Sequence, residues 1–100
     1  MHLVSLPPLL QFMSTYPDAK QALLAWCAEV KKANWRQPAD IKAQYANASI
    51  LKNRRVVFNI KGNDYRLIVS IAYNTGFVFV KFIGSHAQYD AIDANTVEAY

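Results

Sequence analysis

Ser85, His86, Gln88, Tyr89 and Asp90 fall within one short run, GSHAQYD, of this 100-residue chain. Ser85 followed three residues later by Gln88 is a capping-box pattern, so the chain should turn helical at His86. On such a turn His86 and Asp90 stand at i, i+4, and His86 and Tyr89 at i, i+3, which puts all three on one side. A carboxylate beside a histidine fixes its tautomer and raises its proton affinity, an arrangement suited to general acid or base work near neutral pH. One histidine and one aspartate on a short turn make a poor zinc or magnesium site. Plainer readings stand beside this one. His86 could be a polar corner residue bonded to backbone, Tyr89 could pack over a sheet edge, and Asp90 could balance nearby positive charge.

The cations are placed to matter to that turn. Lys and Arg number 11 against 7 Asp and Glu, a net charge of +4 with pI near 9.3. Lys52, Arg54, Arg55, Lys61, Arg66 and Lys81 all lie in the stretch 52–81, opposed only by Asp64 before Asp90. A basic balance favours an anionic partner, and this distribution puts the charge where a nucleic-acid backbone could be met. Arg66 and Lys81 could equally be solvated strand residues that discourage edge pairing.

The elements that position these groups are legible around them. VVFNI, YRLIVSIAY and FVFVKFIG are runs rich in β-branched and aromatic residues, joined by the turns KGND and NTG. They predict a three-stranded meander, whose first turn holds Gly62 and Asn63, residues that tolerate positive φ. Alternation places Leu67, Val69 and Ile71 on the face that meets the helices, with Val78, Val80 and Phe82 beside them. Arg66, Ile68 and Ser70 then point the other way, with Phe77, Phe79 and Lys81. A bulge in either strand would reverse part of that assignment.

Upstream the pattern is helical. His2–Val4 could form a short edge strand. Ser5 before Pro7 and Pro8 reads as a capped helix start, with Leu9, Leu10, Phe12, Met13 and Tyr16 as its apolar stripe. Pro17 ends it. Asp18 and Gln21 resemble a second capping box, opening a helix at roughly 18–33 whose apolar face is Leu23, Leu24, Trp26, Cys27 and Val30. A third short helix, about 38–45, starts at Pro38 and turns Ile41 and Tyr45 inward, and Ala46–Leu51 reads as a linker. The fold class expected is α+β, with N-terminal helices on one face of a twisted antiparallel sheet and a short C-terminal helical turn.

Size and composition narrow the remaining classes. A chain of this length makes one domain over 1–100, and 53% hydrophobic content supports a packed globule rather than disorder. Its apolar runs are far shorter than the ~20 residues of a membrane span, and MHLVSLPPLL lacks the basic start and cleavage site of a signal peptide. A cytoplasmic location is therefore expected. The single Cys27 has no thiol partner and reads as a small core residue. No glycine-rich phosphate loop and no metal-ligand spacing point to a cofactor.

The residues that could do chemistry also carry a resemblance. The opening MHLVS, the YP before the long helix, FNIKGNDYRLIVSIAY and VFVKFIGSHAQYDAID together resemble HigB-type toxins of the RelE-like group of bacterial toxin–antitoxin systems. The pattern FNI-x-GN-x-YRL followed by GSH-x-x-YD is long and specific, and the likeness covers nearly the whole chain. It implies a microbial-ribonuclease-like fold and an endoribonuclease that cuts mRNA on the translating ribosome without a metal. It also implies a helix-turn-helix antitoxin that holds the toxin inactive, and through that antitoxin an indirect link to operator DNA.

Under that resemblance the residues take roles. Metal-independent RNA cleavage uses the 2′-hydroxyl as nucleophile, and needs a base, an acid for the 5′-oxygen and cations for the phosphorane. His86 becomes the proton-transfer group with Asp90 orienting it, and Arg66 and Lys81 stabilise the phosphate. Tyr89 stacks on a base or shares the proton transfer. Lys52, Arg54 and Arg55, with Lys61, become contacts to RNA and to 16S ribosomal RNA near the A site, and Asn63 shapes the turn beside the site. Two rivals use the same residues: a non-catalytic RNA- or ribosome-binding module, and a structural subunit whose sheet face binds a protein.

Overall fold

A computed structural model describes residues 1–100. The elements run β1 (His2–Val4), α1 (Leu6–Thr15), a 3-10 turn (Pro17–Ala19), α2 (Lys20–Lys32), α3 (Pro38–Gln44), β2 (Ser49–Ile50), β3 (Arg55–Ile60), β4 (Tyr65–Ala72), β5 (Phe77–Ser85) and α4 (His86–Asp90). The five strands form one sheet in the order β1-β5-β4-β3-β2. The expected α+β class and the β3–β4–β5 meander are present, and HLV is an edge strand. That edge pairs parallel to β5, Leu3 opposite Val78, so the sheet is antiparallel everywhere but there. The supposed linker holds β2, which pairs Ile50 with Val56 through a turn whose Asn53 and Arg54 both take left-handed φ, 58° and 61°.

Helices pack on one sheet face because their apolar residues recur at i, i+3 and i+4. Leu9, Phe12 and Met13 of α1, Leu23, Trp26, Cys27 and Val30 of α2 and Ile41 of α3 are buried. They meet Val56, Phe58 and Ile60 of β3, Leu67, Val69 and Ile71 of β4, and Val78, Val80 and Ile83 of β5 in one core. Phe58 is its hub: Trp26, Trp35 and Tyr45 all lie with ring centroids within 6.0 Å of it. Cys27 is buried there, and burial pushes its thiol pKa up, as a core role requires. Leu24, expected on this face, is instead exposed.

A bulge corrects the parity of β5. Ile68 pairs with Phe82 but Val69 pairs with Val80, leaving Lys81 as the extra residue. Ile83 therefore points into the core, and Phe82 leaves the helix face for the side of Arg66 and Ile68.

Two caps differ from expectation. Ser5 takes φ 69° and gives no side-chain cap to α1, which starts on its prolines alone. Asp18 caps nothing either, because its carboxylate is bound to Lys61 and Tyr65. The capping box at Ser85 and Gln88 is complete in both directions.

Candidate active site

The site is built where β5 ends. Ser85 Oγ accepts from the Gln88 amide at 3.2 Å, and Gln88 Oε1 accepts from the Ser85 amide at 2.8 Å, which fixes the direction in which α4 leaves the sheet. Gly84 makes room for that box. A Cβ there would stand 2.6 Å from the Phe82 ring and 2.8 Å from Gln88 Oε1, closer than real Cβ contacts come. Gly84 lies opposite Arg66 of β4, so α4 is brought over the arginine.

The β3–β4 turn supports both halves of the site. The carbonyl of Asp64 accepts from the His86 amide at 3.0 Å. The carbonyls of Asn63 and Tyr65 accept from Arg66 Nη1 at 2.9 and 3.3 Å. Asn63 thus acts through its backbone, and the left-handed residues of the turn are Lys61 and Gly62 rather than Gly62 and Asn63. Asp18 clasps the turn from outside, accepting from Lys61 Nζ at 2.8 Å and Tyr65 Oη at 2.6 Å. Lys61 and then Tyr65 hold the Asp18 carboxyl below its ordinary pKa, and in return Asp18 pushes Tyr65 up to about 12. Lys61 is tied to both Asp18 and Asp64.

On this support His86, Tyr89, Asp90 and Arg66 come together. His86 Nδ1 lies 3.1 Å from Asp90 Oδ2, with the two side chains 53% and 60% exposed. The contact is a charge pairing along one turn of the helix, and Nε2 has no partner in the protein. Arg66 Cζ lies 5.8 Å from the Tyr89 ring centroid, a cation–π contact. Nη1 is spent on carbonyls and no carboxylate pairs with Arg66, so its Nε–Nη2 edge is open to a planar anion. The arrangement can move a proton at Nε2 and hold a phosphate at Arg66.

The other cations lie elsewhere. Lys81 is roughly 15 Å along β5 from His86, by the rise of a strand, and its Nζ is bound to Glu98 at 2.9 Å. Arg55, expected at a surface approach, is buried, with its guanidinium bound to Glu98 and to carbonyls of residues 94 and 97. Lys52 and Arg54 are exposed in the β2–β3 turn, at the far end of β3 from the site. The face opposite the helices is therefore not an open basic surface: its Val57 and Ile68 are fully buried. Sequence reading missed Glu98 and the segment that carries it, because TVEAY has neither strand alternation nor helical spacing.

Comparison with known proteins places the chain in a family. Residues 19–92 match the family model described as HigB_toxin, the RelE-like toxic component of a toxin–antitoxin system. An mRNA interferase HigB of Escherichia coli O6:H1 is 29% identical over 94 residues, covering 92% of this chain and 91% of the relative. An mRNA interferase toxin HigB of Escherichia coli K12 is 25% identical over 96 residues, covering 94% and 92%. The mRNA interferase HigB of Shigella flexneri shows the same 25% identity.

Proposed function

The chain belongs to the HigB family of RelE-like toxins, and from that premise we propose that it is an mRNA endoribonuclease whose reacting groups are His86 and Arg66. The observation that carries the proposal is their convergence on one turn: His86 oriented by Asp90, and Arg66 with an unpaired donor edge beneath Tyr89. As the toxin of a toxin–antitoxin pair, it has an antitoxin as partner and mRNA as substrate. That it works in the cytoplasm, on mRNA in the ribosomal A site with 16S RNA contacts, and meets operator DNA only through the antitoxin, is part of the same proposal. No helix is long and apolar enough to cross a membrane.

The reaction follows from these groups without a metal ion. His86 Nε2 takes the proton of a 2′-hydroxyl as that oxygen attacks the adjacent phosphorus. The P–O5′ bond breaks, leaving a 2′,3′-cyclic phosphate, and the 5′-oxygen leaves with the proton that the His86 imidazolium gives back. Asp90 stabilises the imidazolium formed on the way, and Arg66 meets the negative charge on the phosphorane with its bidentate edge. Tyr89 offers a ring on which a base can stack. Lys81 lies too far along β5 to share that phosphate, and we place it on a neighbouring one. Lys52 and Arg54 are exposed cations for the ribosomal RNA backbone, Lys61 and Asn63 shape the turn, and Arg55 stands beside Lys81.

Programmed ribosomes incubated with the protein in a magnesium buffer, with the ends of the RNA fragments identified, test this. The expected products are fragments ending in 2′,3′-cyclic phosphate, absent with His86→Ala. Ribosome binding that stalls translation without new RNA ends would identify a non-catalytic binding module instead.

A further inference from the structure

Arg55 of β3 and Lys81 of β5 are two strands apart, yet they share one carboxylate, that of Glu98. Arg55 Nη1 also donates to the carbonyls of Ala94 and Val97, at 3.3 and 2.7 Å. The Ala99 amide donates to the Lys81 carbonyl at 3.0 Å. The segment 93–99, which has no helix or strand, is thereby strapped across β4 on the face away from the helices. Register places Arg55 opposite Ser70 and Asn59 opposite Arg66, so Arg55 and Arg66 share that face.

Burial is uneven across this contact. The side chains of Arg55 and Lys81 are 7% and 22% exposed, while that of Glu98 is 56% exposed. The cations are set into the sheet, and the anion lies on the solvent side, where another anion can compete. Lys81 first, and Arg55 with it, hold the Glu98 carboxyl below its ordinary range, as a bound anion in a cationic site would be held. Arg55 Nη2 and Lys81 Nζ, one on each oxygen of the carboxylate, also suit the two free oxygens of a phosphodiester.

We infer that Arg55 and Lys81 form a second phosphate site flanking the one at Arg66, and that Glu98 fills it as an internal anion which the RNA backbone must displace. The inference rests on the ribonuclease reading above and deepens it: RNA crossing the sheet toward His86 lifts the 93–99 strap, and the strap restrains the free toxin.

Glu98→Gln and Glu98→Asp test it, the first removing the charge and the second shortening the carboxylate so that it cannot span both cations. Kinetics of mRNA cleavage on programmed ribosomes are read for kcat and KM, beside thermal melts of each protein. Removing a competing carboxylate of a partly exposed pair should lower KM about fivefold with kcat unchanged. Glu98→Gln should also steepen the loss of affinity with salt by about one counterion, as a freed cation is recruited to phosphate. KM unchanged or raised in both variants while wild type cleaves would overturn this inference and leave the ribonuclease reading intact. No cleavage by any of the three proteins would overturn that reading, and this inference with it.

Discussion

Asp90 lies one helical turn from His86, its Oδ2 3.1 Å from Nδ1, and both groups face solvent. An exposed i, i+4 pair stabilises a helix by only about 0.3–0.5 kcal/mol, so the contact matters for orientation rather than for folding. Asp90→Asn keeps a hydrogen-bond acceptor but removes the charge that stabilises an imidazolium. Single-turnover cleavage should slow about fivefold, the equivalent of about 1 kcal/mol, with an unchanged melting temperature. An unchanged rate would reduce Asp90 to a surface residue.

Arg66 separates charge from geometry. Arg66→Lys retains a cation but loses the bidentate edge of a guanidinium that lies 5.8 Å from the Tyr89 ring centroid. Losing a charge-assisted hydrogen bond of about 1.5–3 kcal/mol should reduce kcat/KM roughly 10- to 100-fold. Activity close to wild type in the lysine variant would mean that Arg66 supplies only bulk positive potential.

Gly84 tests whether the capping box aims the site. Gly84→Ala pushes a methyl against the Phe82 ring and Gln88 Oε1. Overpacking of this kind costs about 1–3 kcal/mol. Melting should fall accordingly, and cleavage should fall further than in Gln88→Ala, which removes one side of the box without introducing a clash. Equal activity in both would show that α4 holds its direction without them.

The Asp18 clasp predicts a pH dependence. Its carboxyl is depressed below 3.8 by Lys61 and Tyr65, so it binds fewer protons folded than unfolded. The stability it contributes is present above about 3.8 and is lost as the pH falls through its depressed value. Asp18→Asn should be less stable than wild type near neutrality, and the difference should shrink toward strongly acid pH in chemical denaturation. A constant gap down to pH 2 would mean that the charge plays no part.

Much of this fold was legible because local signals agreed. The helical spacing of Leu23, Trp26, Cys27 and Val30, the alternation in β4 and the Ser85–Gln88 box each have one physical solution, and the structure adopts it. The failures share a cause too. Asp18 has the composition of a cap, but Lys61 and Tyr65, far off in sequence, outbid the local amides for its carboxylate. The bulge at Lys81 moved Phe82 across the sheet, a change of register that strand alternation does not encode. Arg55 sits in the same KNRRVV run as Arg54, yet one is buried and the other exposed, because a segment some 40 residues later covers only the first. The grouping of His86, Asp90, Tyr89 and Arg66 was visible in outline, whereas the dependence of Arg66 on backbone carbonyls needed the folded turn.

The central claim is that His86 and Arg66 cut mRNA. It is tested most directly by inducing wild type, His86→Ala and Arg66→Ala in bacteria and mapping mRNA 5′ ends across the transcriptome. Growth arrest with new in-frame cuts in wild type, lost in both variants while each still accumulates as folded protein, is the result expected. Arrest without new 5′ ends, or cuts that persist in both variants, would contradict it.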